Sequence, residues 1–322
     1  MAPNTSHARI GILYEHPLWF EPLFDELDRR DIPFDRIDAS KLSYDPVVTS
    51  LPYSMVLNRM SPSAWLRGEG SSVFSTLNYL AYLEDIGTPV INGRQAFSYE
   101  ISKARQITLA SELGIRHPRA RVITHPGNAV EAADGLQWPV LVKPNIGGSG
   151  AGIMSFDNPK ELGEAADAGK LEFGPDHTAL IQEHLPAEGD AVVRVEFLDG
   201  VFLYAIRLLL VPGSFNLCPA DYCDLPGIAD GVSGRGLAIE AYQPPDATVR
   251  DAGRLLAATG ADLGSVEYLV NARDGMPYFY DVNALSNFVA DAQDVIGFDP
   301  FVNLVDFIEQ KAALPVALRN LA

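Results

Sequence analysis

Residues 265–287, Ser-Val-Glu-Tyr-Leu-Val-Asn-Ala-Arg-Asp-Gly-Met-Pro-Tyr-Phe-Tyr-Asp-Val-Asn-Ala-Leu-Ser-Asn, constrain this chain more than any other stretch. Their alternation reads as two short strands joined by a tight turn. A two-residue Asp274-Gly275 turn would pair Glu267 with Val282 and send Asp281 to the other face. A three-residue loop, Arg273-Asp274-Gly275 with Gly275 left-handed, pairs Glu267 with Asp281 instead. Side chains alternate along strands, so this register puts Asn283 on the same face. Val266, Tyr268, Val270, Tyr280 and Val282 then form the opposite, core-facing side. Two carboxylates and an amide oxygen converging in this way are hard ligands suited to Mg²⁺. An amphipathic hairpin with a merely polar outer face is the alternative that this stretch by itself leaves open.

The remaining composition limits the partners. A chain of 322 residues is long enough for two or three packed domains. With 47% hydrophobic and 20% charged residues it has a soluble globular composition. A net charge of −18 argues against a nucleic-acid partner or an anionic membrane surface. It leaves room for a nucleotide, which needs only a local cluster of cations. Cys218 and Cys223 are too few for a disulfide framework, and no second pair or nearby His completes a zinc site. They read as free thiols in a reducing compartment. The first residues hold no apolar run, and the most apolar stretch, 201–211, is short and carries Arg207. The expectation is a cytoplasmic protein.

Along the first hundred residues, apolar strands (9–14, 32–37, 55–57, 89–91) alternate with helical patterns (17–30, 72–86), which predicts a small parallel α/β domain. No G-x-G-x-x-G follows its first strand, so a dinucleotide site and a dehydrogenase are disfavoured. A helix is predicted over 99–113, closed by Gly114, with Lys103 on its polar side. Val140, Leu141 and Val142 make an apolar strand ending in Lys143. Pro144-Asn145-Ile146-Gly147-Gly148-Ser149-Gly150-Ala151-Gly152 follows, and extended character resumes at 153. A glycine-rich loop between strands is a flap whose amides can close over phosphates, with Lys143 countering their charge. It lacks the Gly-Lys-Ser/Thr ending and following helix of a Walker loop.

A further strand is predicted over 179–182, leading into Glu183-His184-Leu185-Pro186 and Glu188-Gly189-Asp190. Residues 192–210 read as a hairpin about Asp199-Gly200. That turn pairs Val192 with Arg207 and places Arg194, Glu196 and Arg207 on one face, with positive charge to spare for phosphate. Val193, Val195, Phe197, Phe202, Tyr204 and Ile206 fall on the other. Residues 212–240 show no periodicity and hold both cysteines, Asn216 and Arg235, and helices are predicted over 245–259 and 300–312.

A lysine on a helix, a strand-end lysine with a glycine flap, an arginine hairpin and an acid–acid–Asn hairpin occur in that order. The order resembles the ATP-grasp superfamily over about residues 95–315, nearest the RimK-like glutamate-ligase and peptide-ligase branch. The most specific pieces are Val142-Lys143-Pro144 with its Gly-Gly-Ser-Gly-Ala-Gly flap, and Glu267 followed by Asp281-Val282-Asn283. The resemblance implies an α/β fold, α+β in its ATP-grasp part. An N-terminal parallel α/β domain (1–98) would precede a two-lobed ATP-grasp fold with its flap subdomain (99–188) and metal-site subdomain (189–322).

By residue, the resemblance implies that Lys103 and Lys143 contact ATP phosphates and that Gly147, Gly148, Ser149 and Gly150 cover them. Gln182, Glu183, His184 and Leu185 would hold adenine, mainly through backbone groups, Asp190 would reach the ribose, and Arg194 would sit near the phosphate tail. Arg207, with Lys143, would act at the phosphate or acyl phosphate, and Glu267, Asp281 and Asn283 would bind Mg²⁺ or Mn²⁺. One departure concerns residues 214–219, Ser-Phe-Asn-Leu-Cys-Pro, which lack the basic residues often found there in the glutamate-ligase branch. Asn216 alone would keep a contact, so substrate choice does not transfer.

The implied reaction joins a small carboxylic acid to an amine or amino acid through an acyl phosphate, releasing ADP and phosphate. A homodimer is the expected assembly. Two other readings use the same fold: an ATP-binding regulatory or scaffold protein without ligation, and a carboxylase or kinase.

Overall fold

The computed structural model describes residues 9–148, 150–210 and 238–313, which form three sheets. The first is parallel, in the order β2-β1-β3-β4, with β1 Arg9–Tyr14, β2 Phe34–Asp38, β3 Tyr53–Arg59 and β4 Val90–Ile91. Helices α1 (Glu21–Arg29) and α2 (Gly70–Asp85) supply crossovers. α1 turns Leu23, Phe24 and Leu27 inward, as their helical spacing requires.

The helix expected over 99–113 is in fact two, α3 (Arg94–Glu100) and α4 (Lys103–Glu112). Ser102 is extended, and its hydroxyl accepts the Arg105 amide, so it starts a new helix. Lys103 therefore opens α4 and does not sit on the flank of a longer helix.

The second sheet, β5-β8-β6-β7, is antiparallel and comprises β5 Ala120–Ile123, β6 Val140–Pro144, β7 Met154–Phe156 and β8 Ala179–Glu183. α5 (Ala129–Ala132) and α6 (Pro159–Asp167) close a small core over one face. The third sheet runs β11-β10-β9-β12-β13. Its strands are β9 Ala191–Leu198, β10 Val201–Leu209, β11 Ile239–Ala241, β12 Leu263–Asn271 and β13 Met276–Asn283. α4 and α7 (Asp246–Ala258) pack on one of its faces. The other face shares a core with β1, α1 and the C-terminal α9 (Pro300–Ala313). A one-turn helix, α8 (Ala292–Val295), lies between β13 and α9.

Two bulges re-aim side chains in the third sheet. Glu267 does pair with Asp281, and Ser265 with Asn283. Toward the turn the register differs by one residue, with Tyr268 opposite Phe279 and Asn271 opposite Met276. The connecting loop is thus one residue longer than expected, and a bulge at Tyr280 restores the register. Gly275 is left-handed, with φ +69°. Tyr280, assigned to the core face from its spacing, instead lines the cleft described below.

In the β9–β10 hairpin, Leu198 pairs with Val201 as the turn dictates, but a bulge at Leu203 shifts everything beyond it. Val192 meets Leu208, not Arg207, and Arg207 stands opposite Val193. Tyr204 and Ile206 therefore join the Arg194–Glu196 face, and Arg207 leaves it. Among the described residues no helix is long and apolar enough to cross a membrane.

Candidate active site

The cleft is assembled from the inside outward by one asparagine. Asn145, just beyond Lys143-Pro144, accepts the Ala104 amide at 3.0 Å through its side chain and the Lys103 amide at 3.3 Å through its carbonyl. Its own amide donates to the Thr178 carbonyl at 2.9 Å. The start of α4 is thereby fastened to the end of β6. Lys103 and Lys143, forty residues apart in the chain, are brought into one site.

Opposite them stands the polar middle of the third sheet. The face that carries Leu198, Leu263 and Val192 into the core carries Arg194, Glu196, Ser265, Glu267, Asp281 and Asn283 at its centre. Arg194 donates to Glu267 from Nε at 3.0 Å and from Nη2 at 2.6 Å, and both side chains are buried. Lys103 donates to Asp281. Asn283 lies 3.4 Å from Glu267 through its amide nitrogen.

The electrostatics follow from this arrangement. Burial works against the charge on Lys103, but Asp281 outweighs it and holds the pKa above the ordinary lysine value. Lys143 makes no ion pair among the described residues, and burial together with Lys103 pushes it down to about 7. Glu100 is raised to about 7 by burial and by Asp281. Two lysines side by side, one of them buried without an ion-pair partner and pushed toward its neutral form, make a site whose charge gains from an arriving polyanion.

The glycine flap covers this cleft. Gly150 and Gly152 take φ of +72° and +73°, which glycine adopts without strain. Gly148 rests on the turn formed by Pro62–Arg67, so closely that a Cβ there would stand 2.8 Å from Cβ of Ser63. A Gly148→Val chain is therefore expected to hold the flap open and raise the KM for ATP about tenfold or more. Ser63→Gly in the same chain should restore most of the loss. An ATP titration of the two variants and their combination checks this coupling.

The three residues expected to bind metal all line the cleft. Among the described residues no group of three or more acidic, His or Cys side chains is placed to hold a metal ion, so the set depends on an amide as its third donor. Arg194 contacts only Oε1 of Glu267, and Lys103 only Oδ1 of Asp281. That leaves a hard oxygen on each carboxylate and the Asn283 amide oxygen, a donor set that fits Mg²⁺.

The other expected residues divide. Gly147, Gly148, Gly150 and Arg194 line the same cleft, while Ser149 lies outside the described residues. Gln182 is on the face of the second sheet shared with Leu141 and Lys143, and its buried Oε1 has no partner, so it can accept a donor there. The amides of Glu183 and His184 are already engaged by the Arg119 and Pro139 carbonyls. An adenine edge would have to be read by the remaining groups of that segment. The Glu183 carboxylate is held by the Gln137 amide at 2.9 Å, and Leu185 is buried. Asp190 lies exposed in a left-handed turn outside the cleft.

Arg207 requires a correction. It lies on the sheet face opposite Arg194, pairs with Glu240 at 3.0 Å and stacks 4.1 Å from the Tyr242 ring. The bulge at Leu203 removes it from the phosphate side, and Arg194 is the arginine that faces the carboxylates. Asn216, Arg235, Cys218 and Cys223 lie outside the described residues.

Sequence reasoning did not find Trp19, Ser63, Glu100, Tyr280 or Asn287, all of which line the cleft. They come from separate elements, so no local pattern of the sequence marks them together.

No protein-family profile matches the chain. A formate-dependent phosphoribosylglycinamide formyltransferase from Synechococcus sp. strain WH7803 is 34% identical over 108 residues, 33% of this chain and 28% of that protein. One from Prochlorococcus marinus strain MIT 9313 is 38% identical over 96 residues, 29% and 24% of the two chains. The chain thus matches about a quarter of the length of these curated relatives.

Solved structures match almost end to end. The RimK domain ATP-grasp protein from Sphaerobacter thermophilus has a TM-score of 0.68 at 18% identity, over 93% of this chain and 99% of that one. D-alanine–D-alanine ligase from Bacillus anthracis gives 0.69 at 17%, over 97% and 98%. The ATP-grasp ligase PsnB, solved with a precursor variant, Mg and ADP, gives 0.64 at 20%, over 93% and 98%. These likenesses define the class: the chain has the ATP-grasp fold.

Proposed function

We propose that this chain is an ATP-dependent carboxylate–amine ligase that releases ADP and phosphate. One observation carries the reading: Lys103 and Lys143 face Glu267, Asp281 and Asn283 across a single cleft beneath a glycine flap. The ligases among its structural likenesses support the reaction class.

Lys103, Lys143 and Arg194 would hold the phosphates, and Glu267, Asp281 and Asn283 would hold Mg²⁺, with Mn²⁺ the other hard ion suited to the set. The bound ion would disperse the phosphate charge during transfer. A substrate carboxylate oxygen would form a bond to the γ-phosphorus as the bond to the ADP oxygen breaks. The amine nitrogen would then attack the acyl carbon, phosphate would leave with the electron pair of the broken C–O bond, and the nitrogen would lose a proton. The chain's part is to align the reactants and exclude water, which would hydrolyse the acyl phosphate. Gly148 seated on Ser63 gives that exclusion a physical form.

The test is ADP release across a panel of carboxylic acids, with hydroxylamine present to trap any acyl phosphate as a hydroxamate. Hydroxamate formation that needs both ATP and one acid is expected. ADP release with bicarbonate alone, or none with any acid, would overturn the ligase reading in favour of a carboxylase or a non-ligating ATP-binding protein. Lys143→Met removes one charge-assisted contact, about 1.5–3 kcal/mol. It should therefore weaken ATP binding by about ten- to a hundredfold, and an unchanged Kd would take this lysine out of the site.

A further inference from the structure

The bulge that restores the β12–β13 register also places a phenol in the cleft. Tyr268 lies opposite Phe279 and Glu267 opposite Asp281, so Tyr280 is the extra residue between two paired positions. It leaves the core face and lines the cleft beside Asp281 and Asn283. The charged groups that act on its hydroxyl are Glu267, Asp281 and Arg194. That hydroxyl is buried, and no partner meets it in hydrogen-bond geometry. A phenol is neutral at physiological pH and can donate. A donor left buried without an acceptor is costly, so a state of the site that fills it is favoured.

The carboxylate beside it is held on one oxygen. Arg194 donates twice to Oε1 of Glu267, at 3.0 and 2.6 Å. The Asn283 amide approaches the same oxygen only to 3.4 Å, long for a hydrogen bond. When Arg194 turns to a phosphate, both short bonds are lost together. Glu267 is buried, so bulk water is a poor substitute for the donors it loses. A buried carboxylate stripped of its donors keeps neither its orientation nor its charge without cost.

We infer that Tyr280 is a positioning residue: once Arg194 turns to the triphosphate, the Tyr280 hydroxyl donates to Glu267 and keeps that carboxylate set as a metal ligand. The inference rests on the ligase reading, through the metal role that reading gives Glu267. Carboxylates that bind a metal are themselves held by hydrogen bonds, and losing such a donor costs about ten- to a hundredfold in metal affinity. The unfilled hydroxyl of the empty site and the carboxylate that will lose its arginine thus complete each other in the loaded one.

The test is titration of the full chain with Mn²⁺ at saturating ADP, followed by loss of the free ion's electron paramagnetic resonance signal. Tyr280→Phe keeps the ring and deletes the hydroxyl. It should raise the Mn²⁺ Kd about tenfold or more, while the Kd for ADP without metal stays within about twofold, a split that a merely structural role would not produce. The metal-free melting temperature should be unchanged or higher, because the deleted hydroxyl has no partner to lose. Glu267→Gln should weaken Mn²⁺ further still. An unmoved Mn²⁺ Kd in Tyr280→Phe, with Glu267→Gln weakening it, would sink the inference and leave the metal site standing. A raised Kd for metal-free ADP would make Tyr280 a nucleotide contact, and a lowered melting temperature would make it a core residue; either overturns the inference. Mn²⁺ not bound by the wild type, or bound equally well by Glu267→Gln, would sink the metal site and the inference with it.

Discussion

Asp281→Asn should lower turnover by about a hundredfold or more while the chain still folds. The change keeps the shape of the side chain and removes one charge, and the several kcal/mol that a bound divalent ion contributes to phosphoryl transfer depends on that charge. In the structure Asp281 is held by Lys103, and Glu267 by Arg194. Lys103 can move from Asp281 to a phosphate only if the carboxylate finds another cation, and Arg194 faces the same condition. Nucleotide and divalent ion are therefore expected to bind cooperatively, each weakly without the other. In Asp281→Asn that exchange fails on one side. Lys103 is left with an amide in place of its counter-ion, so nucleotide alone should bind more tightly than to the wild type. Near-normal ADP formation by this variant, with its melting temperature unchanged, would show that the metal lies elsewhere.

How far the site could be read from the chain depended on whether its residues are local. Glu267, Asp281 and Asn283 share one hairpin, and alternation in the register of a three-residue loop puts them on one face. That conclusion survived a loop one residue longer than expected, because the bulge at Tyr280 absorbs the difference. A bulge leaves no mark on an alternating pattern, so the same device had the opposite result at Leu203. There it carried Arg207 to the wrong side for phosphate. The lysines were legible as residue types at a strand end and on a helix, but their meeting depends on Asn145, whose role appears only in three dimensions. Trp19, Ser63 and Asn287 come from segments more than two hundred residues apart at the extremes, and only the packing of the first sheet against the third brings them to one cleft. The parallel first sheet, by contrast, followed from alternating apolar runs and helical spacing, since each of its elements is defined by its own few residues.

Gly264→Ala is expected to be among the most damaging small substitutions in the protein. Gly264 lies near the start of β12, where β13 crosses closely. A Cβ there would stand 2.5 Å from the Asn283 carbonyl oxygen and 3.1 Å from the Ala284 Cα. Both neighbours are backbone, so neither can turn aside as a side-chain end would. The Ala284 carbonyl is further tied to Asn92 and its amide to Glu100. Relief therefore requires β13 to shift at Asn283, the residue proposed as the third metal donor. Overpacking of this kind costs about 1–3 kcal/mol or somewhat more. For a larger domain that corresponds to a loss of about 2–12 °C in Tm. Activity should fall further than stability, because the displaced residue is in the site. Gly275→Ala provides the contrast: its φ of +69° strains any Cβ, but no atom lies within 4 Å of one. It should cost about 1–2 kcal/mol and leave the KM for ATP unchanged. A Gly264→Ala protein with wild-type melting and turnover would mean that the close crossing of β12 and β13 does not set the position of Asn283.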